Sequence, residues 1–388
     1  MPNHNGKNGY GEKNYETLKE TLLKYARRGL SQNEKLARLC DDHGLSIGKS
    51  KLNELERKHA IPSVRRQIAP PEQANQALLD EIDKDMSNSN GPNHFKGVLK
   101  DRDIMLPRDT IRETMHTHRP EGFVQRFPGN RNKPKIERRP LSSIGPFHEI
   151  SADGHEKLAP QALKMGLDVG LPIYGYKDKY SDALLMLRVL PDCRTAAALG
   201  HVFLDFILET GCIPLQMTTD KGSEIGWQYA FQTVLREMLV PDVDLQIYPP
   251  YMILKSVHNT VIEGFWKWLR DKTGHNLKEH ILRGKVDGIF NPNVPWHRDL
   301  FNWIFPPIIQ HRVRHQAEKN MPSGHVPADV LEHPKFQGGL DCRVRVPVEV
   351  VSQLREHLTD EVGPRESHLS WITDEFSAVR RQVGLVSP

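Results

Sequence analysis

Cysteine is scarce: the four in 388 residues, Cys40, Cys193, Cys212 and Cys342, are scattered and form no CxxC pair. That spacing supports neither a disulfide framework nor a cysteine-rich zinc module, and it suits a reducing intracellular compartment. Long apolar runs are missing too, none approaching the roughly 18 residues that a membrane span needs. The opening Met1-Pro2-Asn3-His4-Asn5-Gly6-Lys7 lacks the apolar stretch that directs secretion, so a soluble, non-secreted protein with no membrane partner is expected. Nor is there a surplus of one charge. The 53 lysines and arginines against 49 acids leave +4 and a pI near 8.7, a balance that names no partner; only the clustering of basic residues can. What is present is a globular composition, 38% hydrophobic and 26% charged, in a chain long enough for about two to four domains.

Residues 1–13 are polar and glycine-rich and read as a disordered lead. From Tyr15, Leu18, Leu22, Leu23 and Ala26 recur at helical spacing, and Gly29 is placed to stop that helix. Ser31-Gln32-Asn33-Glu34 matches a capping box, which predicts a second helix with Leu36, Ala37, Leu39 and Cys40 inward and an end at Gly44. Ser46 is placed to cap a third helix, Ile47 to Lys58, with Ile47, Leu52 and Leu55 inward and Lys49, Ser50, Lys51, Asn53 and Arg57 opposite. A basic last helix after a glycine-containing turn is the helix-turn-helix pattern, in which that helix enters the major groove of DNA. Lys49 and Lys51 would then touch the duplex. A plain three-helix bundle with a solvated charged face, over 14–66, reads the same way.

A linker from Ile61-Pro62 to Pro70-Pro71 precedes a second helical unit, 72–125. Ala74, Ala77, Leu78, Leu79 and Ile82 predict one helix, and Phe95 to Leu99, a turn to Pro107, and a helix near Arg108–His118 with Ile111 and Met115 inward complete a second helix-turn-helix-like set. His116 and His118 have no cysteine partner nearby and read as surface residues. The linker 126–145 gathers Arg126, Arg131, Lys133, Lys135, Arg138 and Arg139 against Glu137, a cationic strap able to track a phosphate backbone. An idle linker and a nuclear-import signal are the alternatives.

Region 146–290 alternates as an α/β domain should. Strands are predicted up to Asp153, over Leu171–Tyr176 and over Ala183–Leu190, the last two joined by a turn through Lys177 to Asp182. A helix to Gly211, a strand Leu215–Thr219 leading to Asp220, a helix near Ile225–Leu239, a short extended Leu245–Tyr248 and a helix holding Glu263 follow. That order predicts an α/β RNase H-like domain, a mixed five-stranded sheet with helices, preceded by all-α helix-turn-helix units. Two strand-end aspartates and a helix glutamate can converge on two Mg2+ ions, because hard divalent cations take carboxylate oxygens and keep positions open for phosphate and water. Ordinary acids at strand ends are the alternative.

Ala152-Asp153-Gly154-His155-Glu156-Lys157-Leu158, then Thr219-Asp220-Lys221-Gly222, then His258-Asn259-Thr260-Val261-Ile262-Glu263-Gly264-Phe265-Trp266 resemble, in that order, the DDE triad of retroviral-integrase-like recombinases. The wording looks like that of transposon-derived eukaryotic integrase-core proteins, and the resemblance covers about 92–345. Asp220 and Glu263 are 43 residues apart, longer than is familiar in the retroviral enzymes, so an enlarged loop is expected before the glutamate helix. No His and Cys set for an N-terminal zinc domain is present.

The resemblance implies a nuclear, Mg2+- or Mn2+-dependent DNA integrase or transposase that binds element ends and target DNA and acts as a homo-oligomer. It implies that Asp153, Asp220 and Glu263 are the catalytic residues and the ligands of two metal ions. Lys267, one turn beyond Glu263, is placed to grip a phosphate or to be a solvated charge, and Lys255, His258 and Asn259 to touch the substrate strand. Phe265, Trp266 and Trp268 read as core, and Glu224 as a weaker choice of ligand than Glu263. A domesticated non-catalytic DNA-binding protein and a nuclease that cuts without joining share these features. For the tail, 291–388, with its basic His311-Arg312-Val313-Arg314-His315 and a strand and amphipathic helix over Val346–Leu358, DNA binding, multimerisation and packing around the core all stay open.

Overall fold

The computed structural model describes residues 15–66, 69–86, 88–126, 142–155, 164–166, 169–254, 259–315 and 326–372. Residues 1–14 and, of the expected DNA contacts, Arg131, Lys133, Lys135, Arg138, Lys255 and His258 lie outside the described residues. The chain divides into two units, the boundary falling after residue 133.

The first unit holds α1 (Tyr15–Arg28), α2 (Gln32–His43), α3 (Lys49–Lys58), α4 (Pro71–Asp83), α5 (Pro92–Asp101), α6 (Arg108–His118) and α7 (Glu121–Arg126). Gly29, at φ 72°, stops α1 in the left-handed region that favours glycine. The capping box of α2 forms: the Ser31 hydroxyl accepts from the Glu34 amide at 3.4 Å, and the Glu34 carboxylate accepts from the Ser31 amide at 2.7 Å. Leu22, Leu39 and Leu52 pack in one core and Leu78, Leu99 and Ile111 in another.

Three details differ from the sequence reading. Cys40 is exposed and Arg38 is buried in its place, because the inward face of α2 centres on Arg38 and Leu39 and each further residue turns 100° away. The third helix begins at Lys49, with Gly48 extended before it and no side-chain cap; Ser46 lies too early, and Ile47 packs against the core instead. Ile61 is buried in the first core, so the expected linker starts inside packed structure.

The second unit is built on a five-stranded mixed sheet. Its elements are β1 (Glu149–His155), β2 (Lys164–Gly166), β3 (Val169–Gly170), β4 (Ile173–Asp178), β5 (Leu184–Val189), α8 (Ala196–Thr210), β6 (Cys212–Ile213), β7 (Gln216–Asp220), α9 (Gly226–Leu239) and β8 (Tyr251–Leu254). There follow α10 (Thr260–Leu269), α11 (His275–Val286), α12 (Pro295–His315), α13 (Pro327–Glu332), β9 (Val344–Arg345), α14 (Val348–Val362) and α15 (Arg365–Leu369). The order is β5-β4-β1-β7-β8, with β5, β4 and β1 antiparallel in turn and β1, β7 and β8 parallel. At the β4–β5 hairpin the buried Asp178 carboxylate accepts from the amides of Phe147 and Ser181, each at 2.7 Å.

The last strand of the sheet is Tyr251–Leu254, not Leu245–Tyr248. Asp244 accepts the Gln246 amide on its side chain at 2.7 Å and the Tyr248 amide on its carbonyl at 2.8 Å, which winds 244–248 into a turn. Pro249 and Pro250 have no amide hydrogen to give a ladder, so pairing starts at Tyr251.

One face of the sheet packs on α8 and α9 through Phe203, Phe206 and Leu235, the other on α10 and α12 through Ile262, Phe265 and Phe301. The described tail packs around this core: β9 pairs with β6, and α14 lies on α8 with Leu358 fully buried. Asp205 of α8 is gripped by Arg355 at 2.6 Å and Arg365 at 2.7 Å. The outer edge of β5 is covered as well, since Gln310 of α12 accepts the Val189 amide at 2.8 Å and donates to the Leu187 carbonyl at 2.6 Å. Trp371 donates to the Val189 carbonyl at 3.2 Å. Among the described residues, no helix is long and apolar enough to cross a membrane.

Candidate active site

The centre of the sheet brings Asp153 and Asp220 together. β1 and β7 run parallel with Ser151 opposite Thr218; two residues further along each strand, on the same face, come the two aspartates. Both line a pocket with Gly154, Tyr174, Arg194 and Glu224. The floor is tight, since a Cβ on Gly154 would lie 3.2 Å from the Cys193 sulfur. Beneath it the hydroxyls of Tyr174 and Tyr176 donate to the Gln228 carbonyl oxygen at 3.3 and 2.9 Å, and the Gln228 amide donates to Tyr251 at 3.1 Å.

Helix α10 reaches the same place from the other face. Its apolar positions Ile262, Phe265, Trp266 and Leu269 are buried, at the i, i+3, i+4, i+7 spacing that fixes one side of a helix to a sheet. This sets the Trp266 indole N–H 3.0 Å from Oδ2 of Asp153, with the His155 ring stacked on the indole at 5.0 Å. Room for the indole comes from Gly175, the register partner of Asp153: a Cβ there would lie 3.1 Å from the indole ring and 2.7 Å from Leu187. Just before α10, the buried Asn259 donates through Nδ2 to Asp220 Oδ1 and to the Ala152 carbonyl, each at 3.3 Å.

Charge is left unbalanced here. Burial pushes the Asp153 carboxyl up to about 7, the nearby Asp220 and Glu263 push the same way, and the hydrogen bonds from Trp266 and the Gly154 amide only partly oppose them. Among the described residues no lysine or arginine forms a salt bridge with Asp153 or Asp220. The Oδ1 of Asn259, next to Asp220, is buried without a hydrogen-bond partner. Adjacent carboxylate oxygens, a spare amide oxygen and excess negative charge make a donor set that suits a hard divalent cation.

No family model matches the chain, and no curated protein matches it. Among solved structures it is similar to the Mos1 mariner paired-end complex with Mn, at a TM-score of 0.18 and 8% identity over 70% of this chain and 94% of that one. It is also similar to a Mos1 transposase paired-end complex with the left transposon end, at 0.17 and 7% over 69% and 93%. At those TM-scores the likeness decides neither fold nor function.

Of the residues singled out in the sequence, Glu263 stands half-buried in the first turn of α10, close enough for its charge to act on Asp153, but it does not line the pocket that holds the two aspartates and Glu224. Lys267 is exposed one turn further along α10, and Lys49 and Lys51 are exposed on α3, Lys51 paired with Glu54 at 2.7 Å. Asn259 differs from expectation: at 1% exposure it supports Asp220 from within and presents no surface to a substrate strand. Phe265 and Trp266 are core, as their apolar neighbours predict, yet Trp266 also touches the site. Its place three residues after Glu263, on the same helix face, is the signal that could have revealed it. Arg194, Tyr174 and Cys193 reach the pocket from other segments, and no local pattern marks them.

Proposed function

We propose that the second unit is an RNase H-like, metal-dependent polynucleotidyl transferase that cuts and joins DNA as an integrase or transposase of a mobile element. The observation that carries this reading is the pair of level aspartates on adjacent parallel strands, partly buried and without a balancing cation among the described residues. The sheet order, three antiparallel strands followed by two parallel crossovers, supports the fold assignment. In this reading Asp153, Asp220 and Glu263 hold the metal ions, and Mg2+ or Mn2+ bound there supplies Lewis-acid stabilisation of phosphate oxygens and a more acidic attacking hydroxyl.

The chain's own residues prepare that site. Trp266 fixes one oxygen of Asp153, leaving the other directed elsewhere, and Asn259 fixes one oxygen of Asp220. The tyrosine and glutamine cluster under the pocket keeps its floor dry and rigid, which preserves the spacing of the carboxylates. Lys267 is free to swing from the surface of α10 toward a phosphate, and α2 and α3 serve as a helix-turn-helix with Lys49 and Lys51 on the duplex side.

The test is a strand-transfer assay with labelled duplexes and Mg2+ or Mn2+, run beside a DNA-binding measurement. Joined products that disappear in Asp153→Asn and Glu263→Gln while duplex binding persists support the reading. Cleavage without joining turns it into a nuclease, and reaction that survives both substitutions removes the site assignment.

A further inference from the structure

We propose that Glu224 is an additional ligand of the cation held at Asp153 and Asp220, an inference that rests on the metal-dependent reading above. Glu224 follows the strand that carries Asp220 and lines the same pocket as both aspartates. Its carboxylate is folded back onto the backbone at Gly222: a Cβ built there would overlap both Glu224 oxygens. The absence of a side chain at 222 therefore forms a cradle that holds the acid at the pocket wall.

The placement is costly unless something positive arrives. Among the described residues, the half-buried Glu224 carboxylate has no hydrogen bond and no salt bridge, while two further carboxylates share its pocket. Like charges gathered in a poorly solvated space repel, and a long flexible side chain such as glutamate escapes to water when nothing retains it. The buried, unpartnered Oδ1 of Asn259 beside Asp220 adds a neutral oxygen to the same donor set. Glutamate offers one or both oxygens to a hard cation that tolerates irregular oxygen coordination.

A structural role competes with this one. Glu224 stands just before α9, whose first turn has no side-chain cap, and an acid there complements the positive end of the helix dipole. The two roles differ in how closely they need the carboxylate placed. Dipole complementation survives a small displacement; coordination does not.

Mn2+ titration of the full chain, followed by electron paramagnetic resonance, separates them. Glu224→Gln removes charge and ligand together. Gly222→Ala keeps the charge and pushes the carboxylate off its cradle, and Glu224→Asp keeps the charge and withdraws the oxygens by one methylene. All three are expected to weaken Mn2+ binding by about tenfold or more, no less than the loss of an outer-shell partner does. If Gly222→Ala and Glu224→Asp bind Mn2+ as the wild type does, Glu224 acts only through its field or its helix, and the inference is overturned while the metal site stands. If the wild type binds no Mn2+, or Asp153→Asn binds it equally well, the metal-dependent reading falls and this inference with it.

Discussion

Glu56 in the helical unit and Asp153 in the α/β unit are both acids drawn out of water, and they are handled in opposite ways. For Glu56, burial is the largest influence and disfavours the charge, but Lys35 at 2.6 Å and Arg66 at 2.5 Å together outweigh it and hold the carboxyl below its ordinary range. For Asp153, burial is again the largest influence, the neighbouring acids add to it, and the carboxyl rises to about 7. An acid that serves the fold is given cations by the chain. An acid kept short of them is left for a partner from outside, so the difference in compensation, rather than burial itself, separates a structural carboxylate from a functional one.

The strongest way to break this contrast is to remove the compensated acid. Glu56→Ala leaves Lys35 and Arg66 facing a vacated pocket and should cost the helical unit roughly 2–3 kcal/mol, read as faster amide exchange through α2 and α3. Asp153→Asn should do the reverse: with the repulsive charge gone, the metal-free α/β unit gains on the order of 2 kcal/mol as catalysis is lost. All six tryptophans lie beyond residue 133, so a denaturant titration by tryptophan fluorescence reads this unit alone.

Acid should then divide the two units. Because the Glu56 pKa is lowered on folding, its contribution is present above the ordinary value of 4.5 and disappears as pH falls through the folded value. Asp153 is raised, so its contribution is full below 3.8 and is lost as pH rises through about 7. Lowering the pH from 7 toward 4 should therefore stabilise the metal-free α/β unit through Asp153, and further acid should weaken the helical unit through Glu56. The smallest effect is expected for Trp266→Phe, which removes the indole donor and moves the Asp153 pKa higher by about one unit, measurable by carboxyl carbon resonance.

Much of this was legible from residue order. The Ser31 capping box, the glycine stops and the strand-leading Asp153 and Asp220 are written in short stretches whose local chemistry decides the structure. What escaped depends on residues distant in sequence or on competition between nearby signals. Leu245–Tyr248 has strand-like residues, but the Asp244 turn and two prolines override them. Trp266 reaches Asp153 only because Gly175, on another strand, leaves space. Glu224 meets the aspartates through the backbone at Gly222, and no periodicity registers a side chain that folds back on its own turn.

The covered edge of β5 also sets a clock. Its caps come from Gln310 and Trp371, 121 and 182 residues later in the chain than the Val189 they bind, so at roughly 5–20 residues per second a ribosome needs on the order of 10–40 s to deliver the second of them. For that interval the strand has a bare edge, open to any passing strand. Shielding during synthesis falls to whatever holds the nascent chain, and a chain cut short before Gln310 stays in that unfinished state for good.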